Sequence, residues 1–245
     1  MAKTNLYVLG SGIYSGLHLS IETVQALRAC QTVFLLHDDK MVFEAIKEFC
    51  SDVRDLLELY QDTQKERRQI YIEVADRVVN ECKTGKTVAL MVHGNPMFLV
   101  SACEYTIEFA REQGLNAKVL PAISSFDTIL CDLEIDLGYG VQIFDPESMI
   151  ANDWTPNPKV PLLLFQLAQF RNAFLIKVPP KSLSLAPLSK WLCQFYPPDH
   201  QCKLLHSGAH ILENGTKLNV SLKELCHHQD LDLGNRPTLY VPSID

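Results

Sequence analysis

The first half of the chain alternates short apolar runs with longer stretches whose apolar residues recur every three or four positions. Leu6–Leu9 predicts a strand that ends at Gly10-Ser11-Gly12. Ser20 is placed to cap a helix that carries Ile21, Val24 and Leu27 inward. A second strand is predicted at Thr32–Leu36, and Met41, Val42, Ala45, Ile46 and Phe49 keep helical spacing after it. Val53–Leu57 predicts a weaker third strand. The clearest helix follows: Thr63-Gln64-Lys65-Glu66 fits a capping box, and Ile70, Tyr71, Val74, Ala75, Val78, Val79 and Cys82 form one apolar stripe until Gly85.

Thr87–Val92 is almost continuously apolar, as a central strand covered on both faces requires. It ends at His93-Gly94-Asn95-Pro96, with Pro96 expected to open a helix carrying Ala102, Tyr105, Thr106 and Phe109. Ala117–Leu120 predicts another strand, ending at Pro121-Ala122-Ile123-Ser124-Ser125. This strand–helix rhythm implies a parallel sheet with right-handed crossovers, whose ligands gather beyond the carboxyl ends of the strands. The second half reads differently. Asn152–Pro161 is a proline-punctuated loop; Leu162–Gln166, Cys202–Leu205 and Thr238–Val241 predict strands, with a helix around Leu188–Phe195. The expected architecture is α/β with two domains, 1–122 and 123–245, the second built on a mixed sheet.

Composition narrows the function. The 245 residues are 47% hydrophobic, enough for a substantial core, and the formal charge of −7 comes from 29 acidic against 22 basic residues. Without a basic run, nucleic acid is not an expected partner. No apolar run approaches a membrane span and no secretory leader opens the sequence, so a soluble, cytoplasmic protein is expected. The eight cysteines contain no CxxC pair and read as reduced thiols filling apolar sites, Cys82 and Cys131 among them. They predict no zinc site, and His206, His210, His227 and His228 read as surface or loop residues.

The turn Gly10-Ser11-Gly12-Ile13-Tyr14-Ser15-Gly16 follows a strand, but its third glycine arrives one residue late for a dinucleotide fingerprint. Only Asp38-Asp39 stands near the place of a ribose-binding acid. Taken together, GSG, HGNP and PAISS, each after a strand, resemble the tetrapyrrole methylase family. That resemblance spans almost the whole chain. It implies S-adenosylmethionine as cofactor, folded in a cleft between the two domains. The implied cofactor contacts are Gly94, Asn95, Pro96, Met97, Phe98, Ser124 and Ser125, with Gln166, Ser207 and Thr238 from the second half.

Within that family the chain is most similar to borosin-type peptide backbone N-methyltransferases. Asp55-Leu56-Leu57-Glu58-Leu59-Tyr60, the segment from Lys65 to Tyr71, Cys131 to Asp136, Leu163 to Gln166, Tyr196 to His200 and Pro237 to Pro242 carry the likeness. It implies catalytic roles for Tyr60, Arg67 and Tyr71. An amide nitrogen is a poor nucleophile because its lone pair is delocalised into the carbonyl. A tyrosine that takes the N–H proton and an arginine that steadies the carbonyl oxygen would relieve this. Arg67 and Tyr71 stand four apart and share a helix face. Burial on the apolar stripe also accounts for Tyr71, a solvated ion pair for Arg67 and a strand end for Tyr60.

Three departures stand out: Leu57 in place of a tyrosine, Asn95 in place of a histidine and Ala122 in place of a glycine. The sequence ends at Asp245, soon after the last strand, so a peptide acceptor is expected to be a separate chain. The resemblance further implies a homodimer, and in-line methyl transfer needs no metal. Two alternatives stay open: methylation of a tetrapyrrole or other small molecule, and cofactor or peptide binding without turnover.

Overall fold

The computed structural model describes residues 3–14, 16–61, 64–174, 184–208, 210, 212–226 and 236–244. The chain divides into two compact units, Met1–Thr128 with Ala209–Leu212, and Ile129–Gly208 with Glu213–Asp245.

The first unit is built on β1 (Leu6–Gly10), β2 (Thr32–Leu36), β3 (Val53–Asp55), β4 (Val88–Val92) and β5 (Ala117–Val119), in the order β3-β2-β4-β1-β5 and all parallel. Central β4 is buried at every position, which explains its unbroken apolar run. Each fully buried Val or Leu there contributes roughly 1.5–3 kcal/mol. The helices are α1 (Ile21–Ala29), α2 (Lys40–Lys47), α3 (Arg67–Lys83) and α4 (Ser101–Glu112), with α5 (Ser125–Leu133) opening at the unit's end. Leu27 of α1 and Val42 and Ile46 of α2 share one core with Leu9, Val33, Leu35, Ala89 and Met91. On the strands those residues alternate with Val8, Phe34 and Leu90, which point to the other face. Helix α3 packs along α4 and on β4.

Two helices differ in detail from the pattern read along the sequence. Ser20 does cap α1, its hydroxyl accepting the Thr23 N–H at 3.0 Å. The inward face, however, is Thr23, Ala26 and Leu27, and Ile21 is 82% exposed. In α2, Met41 is likewise 75% exposed while Val42 and Ile46 are buried. The inward assignment of Ile21 is thus corrected, since both it and Met41 stand in the first turn of their helices, on the solvent side. The predicted cap at Thr63 lies outside the described residues. Helix α3 starts later, at Arg67, with Glu66 as N-cap and the Gln69 side chain accepting the Glu66 N–H at 3.3 Å.

The second unit carries β6 (Gln142–Phe144), β7 (Leu162–Leu164), β8 (Gln201–His206), β9 (Thr216–Ser221) and β10 (Thr238–Val241) in the order β6-β7-β10-β8-β9. The β6–β7 pair is parallel and the rest antiparallel, so the sheet is mixed as expected. Its core gathers Leu162, Leu164, Phe170, Leu188, Leu204 and Leu239 around α6 (Pro146–Ala151) and α7 (Ala186–Leu192).

The cysteines are free. Burial pushes the Cys30, Cys103 and Cys202 thiols up to about 12, so they behave as small neutral core groups. Cys131 is a correction: it is exposed on α5. No helix among the described residues is long and apolar enough to cross a membrane.

Candidate active site

In the first unit β1 and β4 are neighbours, yet the chain leaves β1 toward β2 and leaves β4 toward β5. That divergence is a topological switch point, where ligands of parallel sheets bind at the carboxyl ends. The sequence places Gly10-Ser11-Gly12 and His93-Gly94-Asn95-Pro96 there. Gly12 and Gly94 form an antiparallel bridge, Gly94 N–H to Gly12 O at 3.0 Å and Gly12 N–H to Gly94 O at 3.3 Å. Gly10 is obligatory for a packing reason: a Cβ there would sit 2.0 Å from Gly94 O and 2.7 Å from the Ala122 Cβ. Gly94 is glycine for its conformation, φ +73°, with only Ile13 near the space a Cβ would take, at 3.6 Å.

The turn after β4 is held by its own side chain. Asn95 donates to Ala122 O at 2.7 Å and accepts the Met97 N–H at 2.9 Å, while Phe98 N–H reaches Asn95 O at 3.1 Å. Pro96 therefore sits in an Asx-type turn and does not open α4, which begins at Ser101. Leu99 takes φ 60°, a left-handed conformation that costs a leucine about 1–3 kcal/mol and persists only where the surrounding structure fixes it. Two of the three departures from the family pattern, Asn95 and Ala122, are thus bonded to each other. Both polar groups of the Asn95 side chain are committed inside the protein.

The same holds for Ser124. Its hydroxyl donates to Asp127 at 2.6 Å and its N–H reaches the same oxygen, forming the cap of α5. Ser125 is half-buried at the start of that helix. These loops turn apolar side chains outward beside exposed His93 and Asp127: Met97 is 52%, Leu99 40% and Ile123 38% exposed, and Phe98 stacks on Phe126 at 6.0 Å. Segments 10–18, 93–100 and 121–128 contain no lysine or arginine.

On the opposite side of β4 the edge carries titratable groups. Leu57–Gln61 forms a 3-10 turn after β3, started by Asp55 accepting the Leu57 N–H at 2.7 Å. Leu56 and Leu59 bury it, and Glu58 pairs with Arg77 of α3. Tyr60 and Tyr71 come together, ring centroids 6.5 Å apart and tilted at 47°. Arg67 is the first residue of α3, one turn before Tyr71, and both are half-buried. The structure therefore brings Tyr60 to Tyr71 and sets Arg67 on the same helix end. Leu57, the third departure, is half-buried in the 3-10 turn.

Three predicted contacts lie in the second unit. Gln166 adopts φ 62° directly after Leu164-Phe165. Ser207, past β8, donates to Asp132 at 2.5 Å, and Thr238 is buried in β10 opposite Leu205. Sequence reasoning missed a histidine pair at the ends of β2 and β4, His37 and His93, whose ring nitrogens are 3.0 Å apart. The signal was weak, because only the β2–β4 pairing joins residues 56 positions apart. No group of three or more His, Cys, Asp or Glu among the described residues is placed to hold a metal ion.

The chain is similar to several known proteins. Residues 5–208 match the family of tetrapyrrole (corrin/porphyrin) methylases. A methyltransferase/ribosomally synthesized type III borosin cyclic peptide precursor from Anomoporia bombycina is 28% identical over 229 residues, 90% of this chain and 26% of that protein. A type I precursor of the same description from Gymnopilus junonius is 29% identical over 164 residues, 66% of this chain and 39% of that one. The chain thus spans well under half the length of these relatives. Uroporphyrin-III C-methyl transferase from Thermus thermophilus, solved in complex with S-adenosyl homocysteine, shares the fold with a TM-score of 0.62. That likeness covers 97% of this chain and 91% of the other at 13% identity. On the match over residues 5–208, the chain belongs to the tetrapyrrole methylase family.

Proposed function

We propose that this chain is an S-adenosylmethionine-dependent methyltransferase that N-methylates backbone amides of a peptide. The observation that carries the acceptor assignment is the meeting of Tyr60 and Tyr71 at the head of α3, with Arg67 one turn away. The borosin relatives, described as peptide precursors fused to methyltransferases, support it.

The switch-point loops suit this cofactor. It carries no phosphate, and the loops have no lysine or arginine to hold one. Its charge is a positive sulfonium, which a region with Asp127 and without basic residues tolerates. Rigid backbone at Gly94, Asn95 and Pro96 would hold its polar ends, with Met97, Phe98, Leu99 and Ile123 as apolar walls. Asn95 and Ser124 act by fixing the loops, since their side chains are already bonded within the protein.

Bound S-adenosylmethionine supplies a methyl group on a sulfonium that leaves as a neutral thioether. The chain's own residues prepare the amide. One of the two tyrosines, in its phenolate form, takes the N–H proton and becomes the phenol, in a transfer that typically contributes about 10²–10⁴-fold. Arg67 faces the charge that builds on the carbonyl oxygen as the nitrogen loses its proton. The walls position the acceptor and keep water out.

The test is incubation of purified protein with S-adenosylmethionine and a panel of apolar peptides, followed by mass spectrometry. The expected product gains one methylene in mass per transfer, on backbone nitrogen. Methylation of a porphyrin but of no peptide supports the small-molecule reading instead. Cofactor binding without transfer to any acceptor supports a binding protein. The implied homodimer is checked by light scattering on the same sample.

A further inference from the structure

The loop that follows β1 is closed by a histidine that is not among the residues assigned above. His18 Nδ1 accepts two consecutive backbone N–H groups, those of Ile13 and Tyr14, at 3.2 Å each. Its ring lies on the Tyr14 ring, with centroids 4.4 Å apart and a tilt of 31°. The Leu17 and His18 N–H groups return to Tyr14 O at 3.1 and 3.3 Å, so the loop is folded onto itself. Gly12 completes the fit: it takes φ +73°, and a Cβ there would stand 2.1 Å from the His18 Cβ.

Three residues in a row thus face two ways. Gly12 exchanges both of its backbone bonds with Gly94, while Ile13 and Tyr14 give their N–H groups to His18. Ile13 is also buried, with Cδ1 3.6 Å from the space a Gly94 Cβ would take. Direct contacts therefore run from the His18 ring through Gly12 and Ile13 to the Gly94 turn. A nitrogen that accepts N–H groups carries no proton, so His18 is the neutral Nε2–H tautomer. Burial lowers its pKa, with no charged group among the described residues adding to the shift, and Tyr14 is the titratable ring packed on it. A proton on Nδ1 would face two N–H groups and leave both amides without an acceptor.

We infer that His18 is a positioning residue of the cofactor site, a neutral acceptor that holds the Gly12–Tyr14 backbone against the Gly94 turn in the shape that takes S-adenosylmethionine. This rests on the reading above that the switch-point loops hold that cofactor. Consecutive amides that converge on one point make a concavity suited to an anion. Here the imidazole fills it, so those two amides are not offered to a phosphate, in keeping with a cofactor that has none. Protonation would release the ring and loosen the loop. Cofactor affinity is therefore predicted to fall as pH drops through the lowered His18 value, and to be full above it.

Two readouts test the assignment. The first needs no cofactor: long-range proton–nitrogen correlation spectra of ¹⁵N-histidine-labelled protein at neutral pH, with His18→Asn to assign the signal. A neutral ring with its proton on Nε2 is expected; an imidazolium or an Nδ1–H tautomer overturns the inference. The second is calorimetric titration of S-adenosylmethionine across a range of pH. His18→Ala is expected to weaken binding about tenfold or more at neutral pH, because two amides lose their acceptor. Asparagine places Oδ1 where histidine places Nδ1, so His18→Asn should stay within about threefold of wild type. His18→Gln, whose oxygen reaches the Nε2 position instead, should resemble the alanine variant. From about pH 7.5 to about pH 5 the wild type should lose affinity several-fold more than His18→Asn, which has no proton to gain at that site. The ligand's own titration is common to both. If the alanine variant fails to fold, the wild-type and asparagine profiles still decide. Parallel pH profiles, or an alanine variant that binds as tightly as wild type, overturn the inference and leave the cofactor reading standing. A wild type that binds no S-adenosylmethionine at any pH overturns both.

Discussion

The carboxyl edge of the parallel sheet changes character at β4. On the β3–β2 side it carries side chains able to move or direct protons: Tyr60 and Tyr71 in ring contact, Arg67, and the His37–His93 pair. On the β1–β5 side it carries glycines and polar side chains whose hydrogen bonds close within the protein, Asn95 to Ala122 and Ser124 to Asp127. Met97, Leu99 and Ile123 are exposed there, beside the Asp127 carboxylate. Both sides belong to one sheet and one unit, so the difference lies in the loops. A region of fixed backbone and apolar walls holds a ligand without taking part in its chemistry. A region of exposed or half-buried titratable groups does the reverse. We propose the matching division of labour: cofactor on the β1–β5 side, acceptor amide on the other.

Substitutions on the two sides should therefore fail in different ways, and the largest effect is expected at Arg67. Arg67→Ala should lower turnover on an acceptor peptide at least ~10²-fold and leave the S-adenosylmethionine Kd within about twofold. Unchanged turnover would take Arg67 out of the mechanism and break the division. The mirror case is Gly94→Asn. Asparagine tolerates φ near +70° and the protein leaves room for its Cβ, so the variant should fold. Its side chain should weaken S-adenosylmethionine about tenfold or more, read by calorimetry. Undiminished affinity would place the cofactor elsewhere.

Smaller effects sharpen the contrast. Asn95→Ala removes bonds to Ala122 O and the Met97 N–H, for a loss of about 1–2 kcal/mol in thermal unfolding and a few-fold weaker cofactor binding. A loss of stability without any loss of affinity would make Asn95 purely structural. The smallest effect lies outside both halves, in the network that ties β3 to α3. Arg54 bonds Asp52 at 2.7 Å and Glu81 at 2.9 Å. The Arg54 guanidinium holds the Asp52 carboxyl below the usual range, and Lys86 with Arg54 does the same for Glu81. Depressed carboxyl pKa values contribute stability that is fully present above the ordinary value and lost as pH falls through the lowered one. Wild-type Tm should thus drop below about pH 4 more steeply than that of Arg54→Met. With these groups partly solvated, the difference at neutral pH should stay under about 1 kcal/mol. Equal slopes would remove the network from the account.

How much the sequence revealed follows the same physics. Central strands announce themselves: β4 and β2 are buried on both faces and read as unbroken apolar runs. The strands that escaped notice, β6 and β9, are the two edges of the second sheet. The first four residues of β9 are exposed, and β6 has three residues, none of them buried. An edge strand needs apolar residues on less of its surface, so its pattern is diluted. The site was legible where chemistry sits on one element, as with Arg67 and Tyr71 on α3. It was illegible where two strands must pair first, as with His37 and His93. Asn95 shows a third case: its position marked it as important, but only the geometry reveals that its amide serves Ala122 rather than a ligand.

The central claim is that the switch-point loops of the first unit hold S-adenosylmethionine. Calorimetric titration of S-adenosylmethionine and S-adenosylhomocysteine into the purified protein tests it most directly. Micromolar or tighter binding near one site per chain, weakened by Gly94→Asn and untouched by Arg67→Ala, is the predicted result. Binding of neither ligand would contradict the claim and return the turn from Gly94 to Leu99 to a purely structural role.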